Sequence, residues 1–158
     1  MRLRTDPEKF LVGSARDFRL VAVVATAVLL GLVGFACSTP VRPPGRVVDV
    51  SLRDFRIGES AASVQAGTVT FVLHAHGPTT HEFNVVRTDL GAANLPLRAD
   101  GITVDEDARA LHLAGSEEDL SLGDTTDLTL RLSPGHYVLY CNMEGHYLAG
   151  MRIALVVH

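Results

Sequence analysis

A cysteine, a histidine and a methionine fall at equal intervals near the C-terminal end of the sequence, in CNMEGHYLAGM from Cys141 to Met151. Four residues separate Cys141 from His146, and four more separate His146 from Met151. One short loop thus offers a thiolate, an imidazole and a thioether, three donors of different softness. Soft sulfur donors select copper, and two histidines, one cysteine and a weak axial methionine hold a single copper ion that exchanges electrons. Structural zinc fits less well, because it takes four strong ligands and a thioether is a poor one. The set still lacks a second histidine. His81 is the best candidate, since it opens a strand after the Gly77-Pro78 turn, at an end of the fold. His74 and His76, alternating around Ala75, compete for the role and could instead form a weak surface metal site. His112, His136 and His158 have no partner pattern and are expected on the surface. Cys141 also admits the reading of a small buried apolar residue, but its spacing to His146 and Met151 favours ligation. Met143 is expected as apolar surface beside the site rather than as a second sulfur ligand.

The segments that must position these side chains read as strands. VVDVSLRDFRI places Val48, Val50 and Leu52 in step, and DLTLRL places Leu128, Leu130 and Leu132 on one face. GTVTFVLHAHG is β-branched and aromatic, HEFNVVRT alternates through Phe83 and Val85, and HYVLYC and MRIALVV close the chain. Turn signals at Gly77-Pro78, Gly123-Asp124 and Pro134-Gly135 separate them. Many short strands at this spacing predict an all-β, antiparallel sandwich. Tyr137, Leu139 and Cys141 share a strand face, which turns the Cys141 sulfur inward. Gly145 eases the turn that presents His146, and Met151 begins the last strand. Residues 89–121 differ. Leu90 to Gly101 reads as loop, VDEDARALHLA from Val104 as one or two helical turns, and SEEDL as acidic surface. A connection this long inside a compact domain is usually functional or locally structured.

Residues 1–19 hold five basic side chains, and Leu20 to Cys37 then carry no charge. As a helix that run spans about 27 Å, close to a bilayer core. Basic residues before an apolar run predict export, with the N-terminus left inside. Residues 1–37 are therefore expected to be a signal peptide or signal-anchor helix, 38–46 a Pro-rich linker, and 47–158 the folded domain. Cys37 suits the lipid-modified cysteine of a bacterial lipoprotein, which the polar tether CSTPVRPPGR behind it favours. Phe35 and Gly34 fit that cleavage site poorly, so an uncut anchor stays open. Either way the domain is expected outside the cytoplasm, at the outer face of the membrane or in the periplasm. Only two cysteines occur, one of them in the leader, so no disulfide is expected. Residues 47–158 carry seven Arg against fifteen Asp or Glu. That balance argues against nucleic acid as a partner, which calls for a basic patch. It permits steering toward a basic protein.

Two stretches, GTVTFVLHAHGPTTHEF (Gly67 to Phe83) and LSPGHYVLYCNMEGHYLAGM (Leu132 to Met151), resemble the cupredoxins, and among them the plastocyanin-like and sulfocyanin-like proteins. The similarity extends over roughly residues 47–158. The resemblance implies an eight-stranded Greek-key sandwich with one type 1 copper on His81, Cys141, His146 and Met151, and it decides between His81 and its neighbours. The chain departs from the family pattern at Ala75 and at Glu82, where asparagines are common, which touches the hydrogen bonds around the ligands.

The expected function is electron transfer by a mononuclear copper protein outside the cytoplasm, with no enzymatic activity. A binuclear copper domain needs a second cysteine in the loop, and Asn142 to Gly145 offer none. Multicopper oxidases and copper nitrite reductases need a second metal centre. His146 is the expected exit, ringed by an apolar patch of Met143, Tyr147, Leu148 and Ala149. By resemblance to plastocyanin, Tyr140 matches a second exit. Partners are expected to be transient redox proteins, a cytochrome or an oxidase. Asp105, Glu106 and Asp107, or Glu117, Glu118 and Asp119, are the acidic groups that would dock a basic one. The rival reading is extracytoplasmic copper storage or delivery, which the scarcity of Met disfavours.

Overall fold

The computed structural model describes residues 46–158, so the expected leader, Cys37 and nearly all of the linker lie outside the described residues. Among the described residues are nine strands: β1 (Arg46–Arg53), β2 (Arg56–Glu59), β3 (Ser63–Val64), β4 (Gly67–Ala75), β5 (His81–Arg87), β6 (His112–Leu120), β7 (Thr125–Leu132), β8 (Gly135–Tyr140) and β9 (Arg152–Val157). They form two sheets, ordered β2-β1-β4-β7 and β3-β9-β8-β5-β6. The all-β sandwich predicted from the sequence is what forms. Two pairings, β1 with β4 and β3 with β9, are parallel, so the expected antiparallel arrangement holds only for the others. The two-residue β3 also brings the strand total above the eight that the family resemblance implies.

Alternation places the core where the sequence predicts it. Val48, Val50 and Leu52 of β1 are buried between the sheets, with Phe71, Leu73, Phe83, Val85, Leu132, Tyr137, Leu139, Cys141, Met151 and Leu155. The Leu128, Leu130 and Leu132 face of β7 turns inward, while Asp127, Thr129 and Arg131 are exposed. VVDVSLRDFRI is not one strand, however. Asp54 and Phe55 turn the chain, Phe55 adopts a left-handed backbone (φ 62°), and β2 returns antiparallel to β1. The apolar positions change phase across it, from Val48, Val50 and Leu52 to Phe55 and Ile57.

The long connection before β6 is ordered by a second core. Val86, Val138 and Tyr140 point from the opposite face of β5 and β8, and Leu95, Val104, Leu111 and Tyr147 cover them. Each such aliphatic burial stabilises the fold by about 1.5–3 kcal/mol. The helical turns expected from Val104 do not form: residues 105–111 run as turns, and Ala108 N–H and Leu111 N–H close them on Asp105 O and Ala108 O. SEEDL, expected as acidic surface, lies in β6, an edge strand paired only with β5. An edge strand open to solvent on most of its length has no apolar alternation to betray it. The register of β5 on β6 breaks between His81 and Phe83, and Asp119 takes a left-handed φ of 56° there. Such a bulge re-aims a side chain, here at the residue that opens β5.

Candidate metal centre

His81, Cys141 and His146 come together at one end of the sandwich, with one ligand atom of each within 4.8 Å of the others. His81 is the first residue of β5 and fully buried. Cys141 follows β8 directly, and its backbone N–H donates to Met151 O (3.1 Å), which clamps the two ends of the loop. Within the loop His146 N–H donates to Met143 O, and Met151 N–H to His146 O. Gly145 (φ 77°) permits the turn before His146. The result sets Cys141 Sγ 3.5 Å from His146 Nδ1 and the two imidazole rings 5.4 Å apart. Met151 is fully buried in the same core as Cys141. Met143 packs half-buried against that core, as expected of apolar surface beside the site.

His74 and His76 lie elsewhere. Their rings stack 6.3 Å apart, and His74 pairs with Thr125 and lies near Asp49. His112, His136 and His158 are exposed. Among the described residues, the group around Cys141 is the one cluster of His, Cys, Asp and Glu drawn tightly enough to hold an ion.

The electrostatics favour a ligand. Burial pushes the Cys141 thiol up; the backbone N–H groups of Glu82 and Met143 oppose this, and the Glu82 and Asp54 charges add to it. The Glu82 N–H lies 3.3 Å from the sulfur. This bond comes from the backbone, so Glu82 in place of asparagine does not disturb it. Burial and then the neighbouring His146 hold His81 below the usual histidine range, against the pull of Asp54. His81 is thus neutral, the form that ligates a metal. Neither of its ring nitrogens has a hydrogen-bond partner, although both are buried. A buried polar group left unpaired costs about 1–3 kcal/mol, and a ligating role removes that cost.

The surroundings bring residues the sequence reading passed over. Asn142, inside the loop, accepts from Val104 N–H (2.7 Å) and donates to Val104 O, tying the loop to the long connection. Tyr147, expected on a docking patch, is buried; its hydroxyl accepts from Leu95 N–H and donates to Ala92 O, and Arg152 stacks on its ring. Burial wins because an aromatic body and a paired hydroxyl cover the second core better than they cover solvent. Tyr140 is fully buried too and donates to Glu106, which places it beneath the surface. Glu106 also approaches Arg98, so it is not a free member of the acidic patch. His146 is only 7% exposed, and Phe55, half-exposed in the β1–β2 turn, meets its ring edge at 5.2 Å. The Asp-Phe pair between two arginines was the available signal for that turn.

No family model matches the chain, and no curated protein matches it in sequence. Solved structures do. The dithionite-reduced auracyanin of the photosynthetic bacterium Roseiflexus castenholzii superposes with a TM-score of 0.55 at 17% identity, over 72% of this chain and 98% of that one. Auracyanin B gives 0.54 at 22% identity, over 74% and 91%. Auracyanin A, a "blue" copper protein of the green thermophilic bacterium Chloroflexus aurantiacus, gives 0.50 at 18% identity, over 71% and 98%. At these identities the likeness speaks for architecture alone: residues 46–158 carry the cupredoxin fold.

Proposed function

We propose that this protein is an electron carrier holding one type 1 copper ion on His81, Cys141, His146 and Met151. The observation that carries the reading is the buried convergence of two imidazoles and a thiol, with neither ring nitrogen of His81 hydrogen-bonded within the protein. Copper bound there supplies a one-electron couple. The chain's own residues supply the rest. His81, Cys141 and Met151 exclude water from the site. The loop bonds Cys141 N–H to Met151 O and Met151 N–H to His146 O keep the donor positions fixed from both ends. Glu82 N–H holds the sulfur in place. A rigid donor set limits rearrangement between two oxidation states that favour different surroundings.

His146 is the group nearest solvent, and Phe55, Met143 and Leu148 form an apolar rim around it, in place of Tyr147. A small apolar rim suits the brief contacts of redox proteins. The exposed Asp107, Glu118 and Asp119 support an encounter with a basic partner, a cytochrome or an oxidase. The basic and then apolar N-terminal sequence supports export, with anchoring through the apolar run or through a lipid on Cys37. No catalytic activity is assigned. The test is Cu(II) titration followed by voltammetry and chelator challenge. One tightly held equivalent with reversible one-electron cycling is expected. Rapid loss of copper to a modest chelator would instead make this a storage or delivery protein.

A further inference from the structure

His81 has two ring nitrogens and the copper centre can use only one, so something must decide which. The β1–β2 turn carries a carboxylate to the back of the ring: Asp54 Oδ1 lies 3.5 Å from His81 Nε2. Thr79 Oγ1 donates to the same oxygen at 2.8 Å, which fixes the carboxylate from the Gly77–Thr80 turn. Gly77 makes the approach possible. A side chain there would put Cβ 2.2 Å from His81 Nε2 and 2.5 Å from Asp54 Oδ1, so only a glycine leaves the space. Asp54, Gly77 and Thr79 come from two separate turns, yet all three meet at one nitrogen.

The geometry points to Asp54 as a positioning residue: its carboxylate, close to His81 Nε2 without a formed hydrogen bond, favours the proton on that nitrogen through its charge, turns Nδ1 toward Cys141 and His146, and places a negative charge behind the ligand. This inference rests on the copper reading above. Metal-bound histidines generally donate their other N–H to such a partner, which fixes the tautomer and makes the ligand more basic. Here the partner carries a full charge, whereas a backbone carbonyl would carry a dipole. The charge would favour Cu(II) over Cu(I), so Asp54 would lower the reduction potential.

Two measurements test this. In the metal-free protein, ¹⁵N-resolved NMR is expected to find the His81 proton on Nε2, with its resonance moving upfield in Asp54→Ala. A proton on Nδ1, or an unchanged resonance in Asp54→Ala, would overturn the assignment. In the copper-loaded protein, Asp54→Asn is expected to raise the potential, and Asp54→Ala to weaken Cu(II) binding roughly 10-fold to 100-fold, both keeping the thiolate absorption band. Asp49→Asn removes the same charge at the exposed outer side of β1 and serves as the control. A potential shifted equally by Asp49→Asn and Asp54→Asn, or by neither, contradicts the inference while leaving the copper reading intact. A wild-type protein that binds no copper through Cys141 contradicts that reading, and the metal-free spectra then decide Asp54 alone.

Discussion

Replacing Tyr147 by phenylalanine isolates one oxygen atom. The ring stays, and so do its packing in the second core and the Arg152 guanidinium 4.8 Å above it. What goes is a hydroxyl that accepts from Leu95 N–H at 2.9 Å and donates to Ala92 O at 2.8 Å. Leu95 is buried, so its N–H loses its partner without reaching water. An unsatisfied buried donor costs about 1–3 kcal/mol. Ala92 is half-exposed, so its carbonyl regains a water and adds little. The expected loss is about 2 kcal/mol, which lowers the melting point by roughly 8 °C at about 4 °C per kcal/mol for a domain of this size. Urea unfolding followed by circular dichroism, on wild type and Tyr147→Phe, measures it. A change below about 0.5 kcal/mol, the ordinary size of a surface substitution, would refute the claim that this hydroxyl holds the 88–111 connection over the sheet.

Three further outcomes are expected. Because burial raises the Cys141 thiol, the metal-free site is protonated at neutral pH; copper binding should release a proton, measurable in weakly buffered titrations, and affinity should rise with pH. His81 titrates below its ordinary 6.5, so between the two values the folded state binds fewer protons than the unfolded state. The metal-free protein should then lose stability as pH falls below 6.5, by at most about 1.4 kcal/mol per pH unit, and His81→Gln should remove that part of the slope in urea titrations. Met151→Leu keeps core volume and should cost less than about 1.5 kcal/mol. It should raise the potential measured by voltammetry, since losing an axial donor favours Cu(I).

The sandwich was legible wherever one face of a strand meets the core, as in Val48, Val50 and Leu52 or Leu128, Leu130 and Leu132. It was illegible where a strand lies at an edge: HLAGSEEDL carries charge and glycine because solvent, not the core, meets most of β6. The Asp54-Phe55 turn left a trace, a change of phase in the apolar positions from Val48, Val50 and Leu52 to Phe55 and Ile57, which a rough reading of alternation passes over. The donor set was readable because metal chemistry constrains residue type and spacing together. Its surroundings were not, because Asp54, Thr79 and Asn142 act through pairings between residues 25 to 38 positions apart, which no local pattern encodes. Tyr147 read as surface for the same reason: its cover comes from Ala92 and Leu95, more than fifty positions earlier.

The central claim is that Cys141 and the two histidines act together on one copper ion. The most direct measurement is the visible and EPR spectrum after adding Cu(II) to the wild-type protein and to Cys141→Ser. An intense thiolate-to-copper band with narrow copper hyperfine splitting is predicted for the wild type, and both should vanish in the variant. A pale Cu(II) spectrum that the substitution leaves unchanged would contradict the claim, since the histidines would then be binding copper without the thiolate.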